Sequence, residues 1–540
     1  MTAPSYTTDL VLMTNAESGT WTEFASPYHS GGSPDNSETD FFIQGQGCTS
    51  QSFGTKTGLV FSILYDAGSD ISGSFGTDDC VFMWHIVLQP NAIQTYANGG
   101  MRLAIASDDG SGTQNDADVW AVGGSDFGRN PYGGWHNVVV DPTLTADYTI
   151  GSGNGGAYRY FGSMPYTTAQ VSKGSPHGVD ALRRGRGELK VEYGETADYA
   201  TFAGIATEND KNTSGSYNRW GLFQEQFGSY LWKGLMSLGN ATNAVDFRDS
   251  NRNIFIDDTP KTFAAFNKIE VNNASSNIEW TGINITALNP SGLSVGQFEM
   301  TADATLSWTN CVMTDMSTFV FDSNATLDAV TFRRCGQVTQ AGGDFDNCIF
   351  DECDAAVSLL CDNPDNVDNC TFNSDGSNHA IELTSACAGN SYTLTDFFVS
   401  GYATSDGSTG NEVIYNNSGG SVTINIDGGS GVSAISIRGG NVTLVANYSF
   451  TVTGLEQNTE VTIVTAGTST VLHHTENATT SDGDGKYQIT YSHGGGASVD
   501  VLIHHISYKP DISNIYGLTL PGYNSSAKVS MFADENYENP

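Results

Sequence analysis

Trp280-Thr-Gly-Ile-Asn-Ile285, Trp308-Thr-Asn-Cys-Val-Met313, Leu327-Asp-Ala-Val-Thr-Phe332, Phe345-Asp-Asn-Cys-Ile-Phe350, Val367-Asp-Asn-Cys-Thr-Phe372 and Leu394-Thr-Asp-Phe-Phe-Val399 are six versions of one unit. Each opens on an apolar residue, continues with two mostly polar or small ones, and closes on a short apolar run. Their first positions advance by 28, 19, 18, 22 and 27 residues. Self-similarity near a twenty-residue period, with strand-like alternation and no helical periodicity, is the pattern of a solenoid. One coil cannot bury its own apolar face, so coils stack into a continuous core. The expected element is a right-handed parallel β-helix over about 262–447. Asn310, Asn347 and Asn369 fall at equivalent points. Asn tolerates a left-handed corner and can hydrogen-bond along a ladder of like residues, while the Cys after each is a small inward hydrophobe.

Working outward, residues 1–165 alternate strand-like runs with Gly-rich turns. The runs are Leu59-Val-Phe-Ser-Ile-Leu-Tyr65, Val81-Phe-Met-Trp-His-Ile-Val-Leu88, Met101-Arg-Leu-Ala-Ile-Ala106 and Trp135-His-Asn-Val-Val-Val140. This reads as a jelly-roll or lectin-like β-sandwich, and with Gly133-Gly-Trp-His-Asn-Val-Val139 it resembles concanavalin-like sandwiches. Residues 166–261 read as a connecting and capping region. In it Trp220, Phe223, Phe227, Tyr230, Leu231 and Leu235 recur at near-helical spacing, interrupted by Gly221, Gly228 and Gly234. Residues 448–540 read as a small C-terminal β-sandwich, with strands at Phe450–Leu455, Glu460–Val464, Tyr487–Tyr491 and Val499–Ile503. The expected fold class is therefore all-β.

Composition limits function. Acidic residues outnumber basic ones 60 to 22, a formal charge of −38, which disfavours nucleic acid and favours solubility. The basic residues Lys173, Arg183, Arg184, Arg186 and Lys190 concentrate in one stretch, read as pairing with acidic surroundings or else as a phosphate or glycan-acid site. Nine Cys without a CxxC spacing predict buried reduced thiols and synthesis in a reducing cytosol; a Cys348/Cys353 zinc site lacks that spacing. The N-terminal segment has no signal-peptide pattern, and no run of about 18 apolar residues is long enough to span a membrane.

Catalysis on a β-helix commonly uses paired carboxylates. Candidates are Asp344, Asp346, Asp351, Glu352 and Asp354, with Asp346, Asp351 and Asp354 foremost; Asp at such turns also simply shapes the corner. The polygalacturonase set is missing: Asp257-Asp258 has no companions, and His177-Gly178 and His493-Gly494 lie outside the repeats. Gly292-Leu-Ser-Val-Gly296 has the letters of a nucleophile elbow without its following helix. Asp362, Asp365 and Asp368 form an oxygen-rich run that suits calcium, though without the EF-hand pattern; no other cofactor is indicated. The pairs His473-His474 and His504-His505 sit on strands, where adjacent side chains point to opposite faces and cannot easily share an ion. Trp120, Tyr132 and Trp135 are candidate sugar-stacking aromatics, each equally a core residue.

Lys173-Gly-Ser-Pro-His-Gly-Val-Asp180, Arg184-Gly-Arg-Gly187, Val245-Asp-Phe-Arg-Asp-Ser-Asn251 and the terminal Asp534-Glu-Asn-Tyr-Glu-Asn-Pro540 resemble blocks of tailed-bacteriophage virion proteins, of the fibre, tailspike and head-decoration kind in marine phages. That resemblance implies a virion component made in the host cytoplasm. It also implies assembly as a homo-oligomer, a trimer first, beside other virion proteins. It carries over no catalytic residue. The leading expectation is a non-enzymatic appendage that contacts host surface glycans. A glycan-depolymerising tailspike (hydrolase or lyase) and a ligand-free capsid decoration protein are the alternatives.

Overall fold

A computed structural model describes residues 2–24, 33–52, 62–87, 102–107, 116–121, 135–165, 176–195, 197–209, 212–213, 216–257, 262, 266–288, 296–301, 303–353, 356–446, 448–475, 478–494, 496–521 and 524–533. The protein is all-β, with large, mostly parallel sheets. It divides into two compact units, Met1–Thr305 with Thr314–Thr318, and Leu306–Met313 with Phe319–Pro540.

The first unit opens with two antiparallel sheets. One runs His136–Val140, Cys80–Val87, Pro176–Gly185, Cys48–Ser52, Asp35–Glu38; the other runs Tyr148–Ile150, Ala117–Ala121, Arg102–Ala106, Tyr160–Ser163, Ile63–Asp66, Thr20–Thr22. The second sheet is buried on both faces, since Leu64, Ala104, Ala106, Val119 and Tyr160 form a separate apolar cluster with Phe24 and Met164. Val81, Met83, Val138, Val179 and Leu182 of the first sheet pack with Ile63, Leu103, Ile105, Trp120 and Phe161 of the second in one buried cluster. The same core encloses polar groups. His85 and His177 lie 5.8 Å apart edge to face, Ser163 Oγ is 2.8 Å from His85 Nε2, and His177 Nε2 is 3.1 Å from Gln51 Oε1.

From Glu188 the chain changes to parallel pairing. Glu188–Glu192, Leu235–Leu238, Lys268–Val271 and Gln297–Met300 stack in register, so that Leu189, Met236, Ile269 and Phe298 form one buried column. Two further parallel ladders accompany it: Ser229–Trp232, Asn253–Ile256 and Asn284–Ala287, and Asp246–Ser250 with Asn277–Thr281. The near-helical run at 220–235 is strand. Phe223–Gln226 and Ser229–Trp232 form an antiparallel hairpin, turned by Phe227 and Gly228 at positive φ, which leaves Phe227 on the surface. The one α-helix among the described residues is Phe202–Asn209; its Phe202 ring sits 4.8 Å from Phe247 and 5.2 Å from Trp280, covering both.

In the second unit three-residue strands repeat the parallel scheme. Thr331–Arg333, Ile349–Asp351, Thr371–Asn373 and Phe398–Ser400 pair in register. This places Phe332, Phe350 and Phe372 in a stack, with centroid separations of 5.3 and 4.4 Å. At the preceding corner Asn310, Ala329, Asn347, Asn369 and Asp396 all have φ between 46° and 56°. Each backbone N–H there donates to the next coil, as in Asn347 N to Asp368 O at 3.0 Å and Asn369 N to Thr395 O at 2.8 Å. The ladder of like side chains is replaced by a diagonal one. Asn347 Nδ2 donates to Asp328 and Asn369 Nδ2 to Asp346, because a carboxylate is the better acceptor. All nine cysteines are buried thiols outside any disulfide. In this unit thiols donate across coils, Cys348 Sγ to Leu327 O and Cys370 Sγ to Phe345 O. The last part pairs Tyr448–Leu455 with Tyr487–His493 and Ser525–Lys528, and Glu460–Thr465 with Val471–Thr475 and Ser498–His504, around one apolar cluster.

Candidate functional site

A concavity among the described residues lies in the first unit, beside the strands Asp246–Ser250 and Asn277–Thr281, with a volume of about 370 Å³. Its outer wall comes from the segment after Glu192. Tyr193 at φ +66° and Gly194 at φ +102° turn the chain away from the parallel ladder, and Glu195 pairs back with Asp198. Gly194 is required here, since a Cβ would lie 2.8 Å from Asp246 O. The chain then returns, with Ala200 N donating to Asp246 O at 2.9 Å.

The alternation that buries Val245 and Phe247 turns Asp246 and Arg248 outward. Arg248 grips Asp246 with two bonds, of 2.7 and 3.1 Å, and reaches Glu279 at 3.3 Å. Asp246 holds the guanidinium above its ordinary range. Asn277 is in register with Asp246 and donates to it at 3.2 Å and to Glu279 at 2.8 Å. Glu195 Oε1 accepts from Thr2 N at 3.0 Å, and Asn243 Nδ2 donates to Glu192 at 2.8 Å. The cleft thus presents carboxylate acceptors, amide groups and hydroxyls beside a half-buried Tyr193, with its single cation already matched.

The expected site residues fall elsewhere. Asp346 accepts from Asn369 at 2.8 Å, and Asp351 accepts from Asn373 at 3.4 Å and faces Arg333 at 3.2 Å, so both serve the corner ladders. Asp257 pairs with Lys233 at 2.9 Å in the interior. The calcium run is also engaged: Asp362 accepts from the Thr384 hydroxyl and Asp365 from Thr393 N. Burial first, then Asp346, Asp344 and Asp365, raises Asp368 above the ordinary carboxylate range. Among the described residues no group of three or more His, Cys, Asp or Glu could hold a metal ion. Trp120 is 1% exposed, and its indole N–H donates to Leu144 O at 3.1 Å; it belongs to the core and offers no face to a sugar. Trp135 is half-buried, its ring 6.3 Å from Phe41. Tyr132, Asp354, Asp258, Lys173, 292–295 and 534–540 lie outside the described residues.

The basic stretch does not gather into a patch. Arg183 is buried against Gln44 and the Arg219 carbonyl, Arg184 faces Asp79 at 3.7 Å, and Lys190 faces Glu188 at 3.4 Å. His177 and His493 are buried. His473 is half-buried with His474 exposed, and His505 half-buried with His504 exposed, so each pair splits between environments. No helix among the described residues is long and apolar enough to cross a membrane. The cleft went unread in the sequence because its residues come from four separate segments; the one local sign was the outward polar alternation of Asp246, Arg248 and Ser250. No family model, no curated protein and no solved structure matches the chain.

Proposed function

We propose that the chain is a non-enzymatic structural protein of a tailed-phage virion, a tail fibre, spike or head appendage that contacts host surface glycans. In this reading the parallel ladders are coils of a right-handed β-helix, the leading antiparallel pair is a jelly-roll-like sandwich, and the last strands are a second, smaller sandwich. Phe202 and its helix then cap the first coils.

The observation that carries the reading is the set of in-register parallel columns within each unit, such as Phe332, Phe350 and Phe372. Such stacking builds a stiff scaffold whose stability accumulates rung by rung. The binding reading is supported by Asp346 and Asp351, which accept from Asn369 and Asn373 along the coils, Asp351 also facing Arg333. A hydrolytic pair needs one carboxyl free to protonate and another free to attack or activate water. Oligomerisation as a trimer and neighbouring virion proteins as partners belong to the same proposal.

Mass spectrometry of gradient-purified particles tests it. The account expects peptides of this chain in the particle band at a fixed ratio to the major capsid protein. Peptides confined to the particle-free supernatant would contradict it.

A further inference from the structure

We propose that the cleft bounded by Tyr193, Glu195, Asn243, Asp246, Arg248 and Asn277 is a subsite for one uncharged pyranose ring of a surface glycan. This deepens the glycan-contact reading above and rests on it.

Size comes first. About 370 Å³ is at the lower end of small-molecule sites, which run from roughly 300 to 1,000 Å³, and admits one ring rather than an extended chain. Chemistry comes second. Asp246 and Asn277 stand opposite each other on neighbouring parallel strands and are joined by an amide-to-carboxylate bond of 3.2 Å, so acceptor and amide sit side by side along this wall. Thr242 and Ser275 add hydroxyls at the same wall, and Glu195 adds a carboxylate. A ring bearing several hydroxyls, each both donor and acceptor, meets this alternation better than a ligand of one polarity. The half-buried Tyr193 also lines the cleft.

Charge decides between kinds of sugar. The guanidinium of Arg248 is matched twice over, by Asp246 and by Glu279, and Glu195 contributes a further negative charge. An anionic ring, a uronic acid or a phosphorylated sugar, would enter a net-negative cleft whose cation is already committed. Like charges at such range repel, and breaking the Arg248–Asp246 fork would leave the Asp246 charge with only the neutral Asn277 amide. The subsite therefore selects neutral rings.

Saturation-transfer NMR on the full chain is the test, with the methyl pyranosides of glucose, galactose and mannose as probes and methyl glucuronide as their anionic counterpart. We expect transfer to at least one neutral pyranoside and none to the glucuronide. Asn277→Ala, which removes one hydrogen-bonding group, should weaken binding about five-fold. Thr242→Trp, at an exposed position on the rim, should abolish transfer while leaving the fold intact, as checked by circular dichroism. Asn284→Ala, on another ladder, should change nothing. Silence from all three neutral probes, equal transfer to the glucuronide, or binding indifferent to both cleft variants would overturn the proposal. Those results leave the particle assignment standing, and a particle band free of the chain leaves the cleft measurement standing.

Discussion

At the scale of single residues, the corners of the second unit make the sharpest statement. Five successive corner residues adopt the left-handed region, and four of them are Asn or Asp. Ala329 is the exception, at φ +55°. A residue with a Cβ and no polar side chain is strained there, so Ala329→Asn should stabilise the unit by about 1 kcal/mol. Asn347→Ala should do the reverse, costing about 1–2 kcal/mol, since it also deletes the 3.0 Å bond to Asp328. Denaturant midpoints of the two variants check both signs. These corners were legible because Asn-Cys recurs in the sequence at a fixed place. Their partners were not. A repeat of identical letters suggests a ladder of identical side chains, whereas the acceptor is the Asp just before the corner, one coil away. That same preference engages Asp346 and Asp351 in corner hydrogen bonds: an acid at a turn is compatible with chemistry and with shaping the corner, and both carboxylates here accept from an Asn of the next coil.

At the scale of elements, packing within columns should dominate stability. Phe350 lies between Phe332 and Phe372, so Phe350→Ala should cost about 3–5 kcal/mol. Hydrogen exchange should show faster amide exchange on the strands of all three residues and little change in the sheets of the first unit. The leading antiparallel sheets carry a different liability. Burial holds His85 well below its ordinary value and His177 at about 3, and burial with nearby Lys233 holds His136 at about 4. The unfolded chain takes up these protons near pH 6.5, so stability is full above that value and falls as the pH drops towards 4. At pH 5, His177 should cost about 2 kcal/mol, and His85 acts in the same direction. Asp180 works in the opposite sense: burial raises it to about 7, so its contribution grows as the pH falls from 7 towards 4 and offsets part of the loss. Thermal melts should give a net fall in midpoint between pH 7 and pH 5, and His85→Gln should reduce that fall. Strands were legible wherever a short apolar run stood between turn-rich stretches, as at 81–87 and 136–140. The stretch 220–235 misled because Gly228 and Gly234 break two strands at intervals that imitate helical spacing; the turns were visible, their consequence was not.

At the scale of the whole molecule, 60 acidic against 22 basic residues leave a charge of −38 that local pairing cannot cancel. Self-repulsion of that size is screened as the Debye length shrinks from roughly 30 Å at 0.01 M salt to about 8 Å at 0.15 M. Melting midpoints should therefore rise over this range, and a midpoint independent of salt would show the acidic surface to be energetically neutral. The all-β class and the parallel repeats were legible from periodicity alone, since period is a property of one chain read in order. The cleft was not, because it joins Thr2, the turn after Glu192, and two ladder strands across more than two hundred residues. The central claim, a virion appendage, is tested most directly by electron microscopy of purified particles labelled with a gold-tagged antibody against this chain. The account predicts gold on tails or on the capsid exterior, at a constant position from particle to particle. Bare particles, with the protein recovered free in the medium, would contradict it.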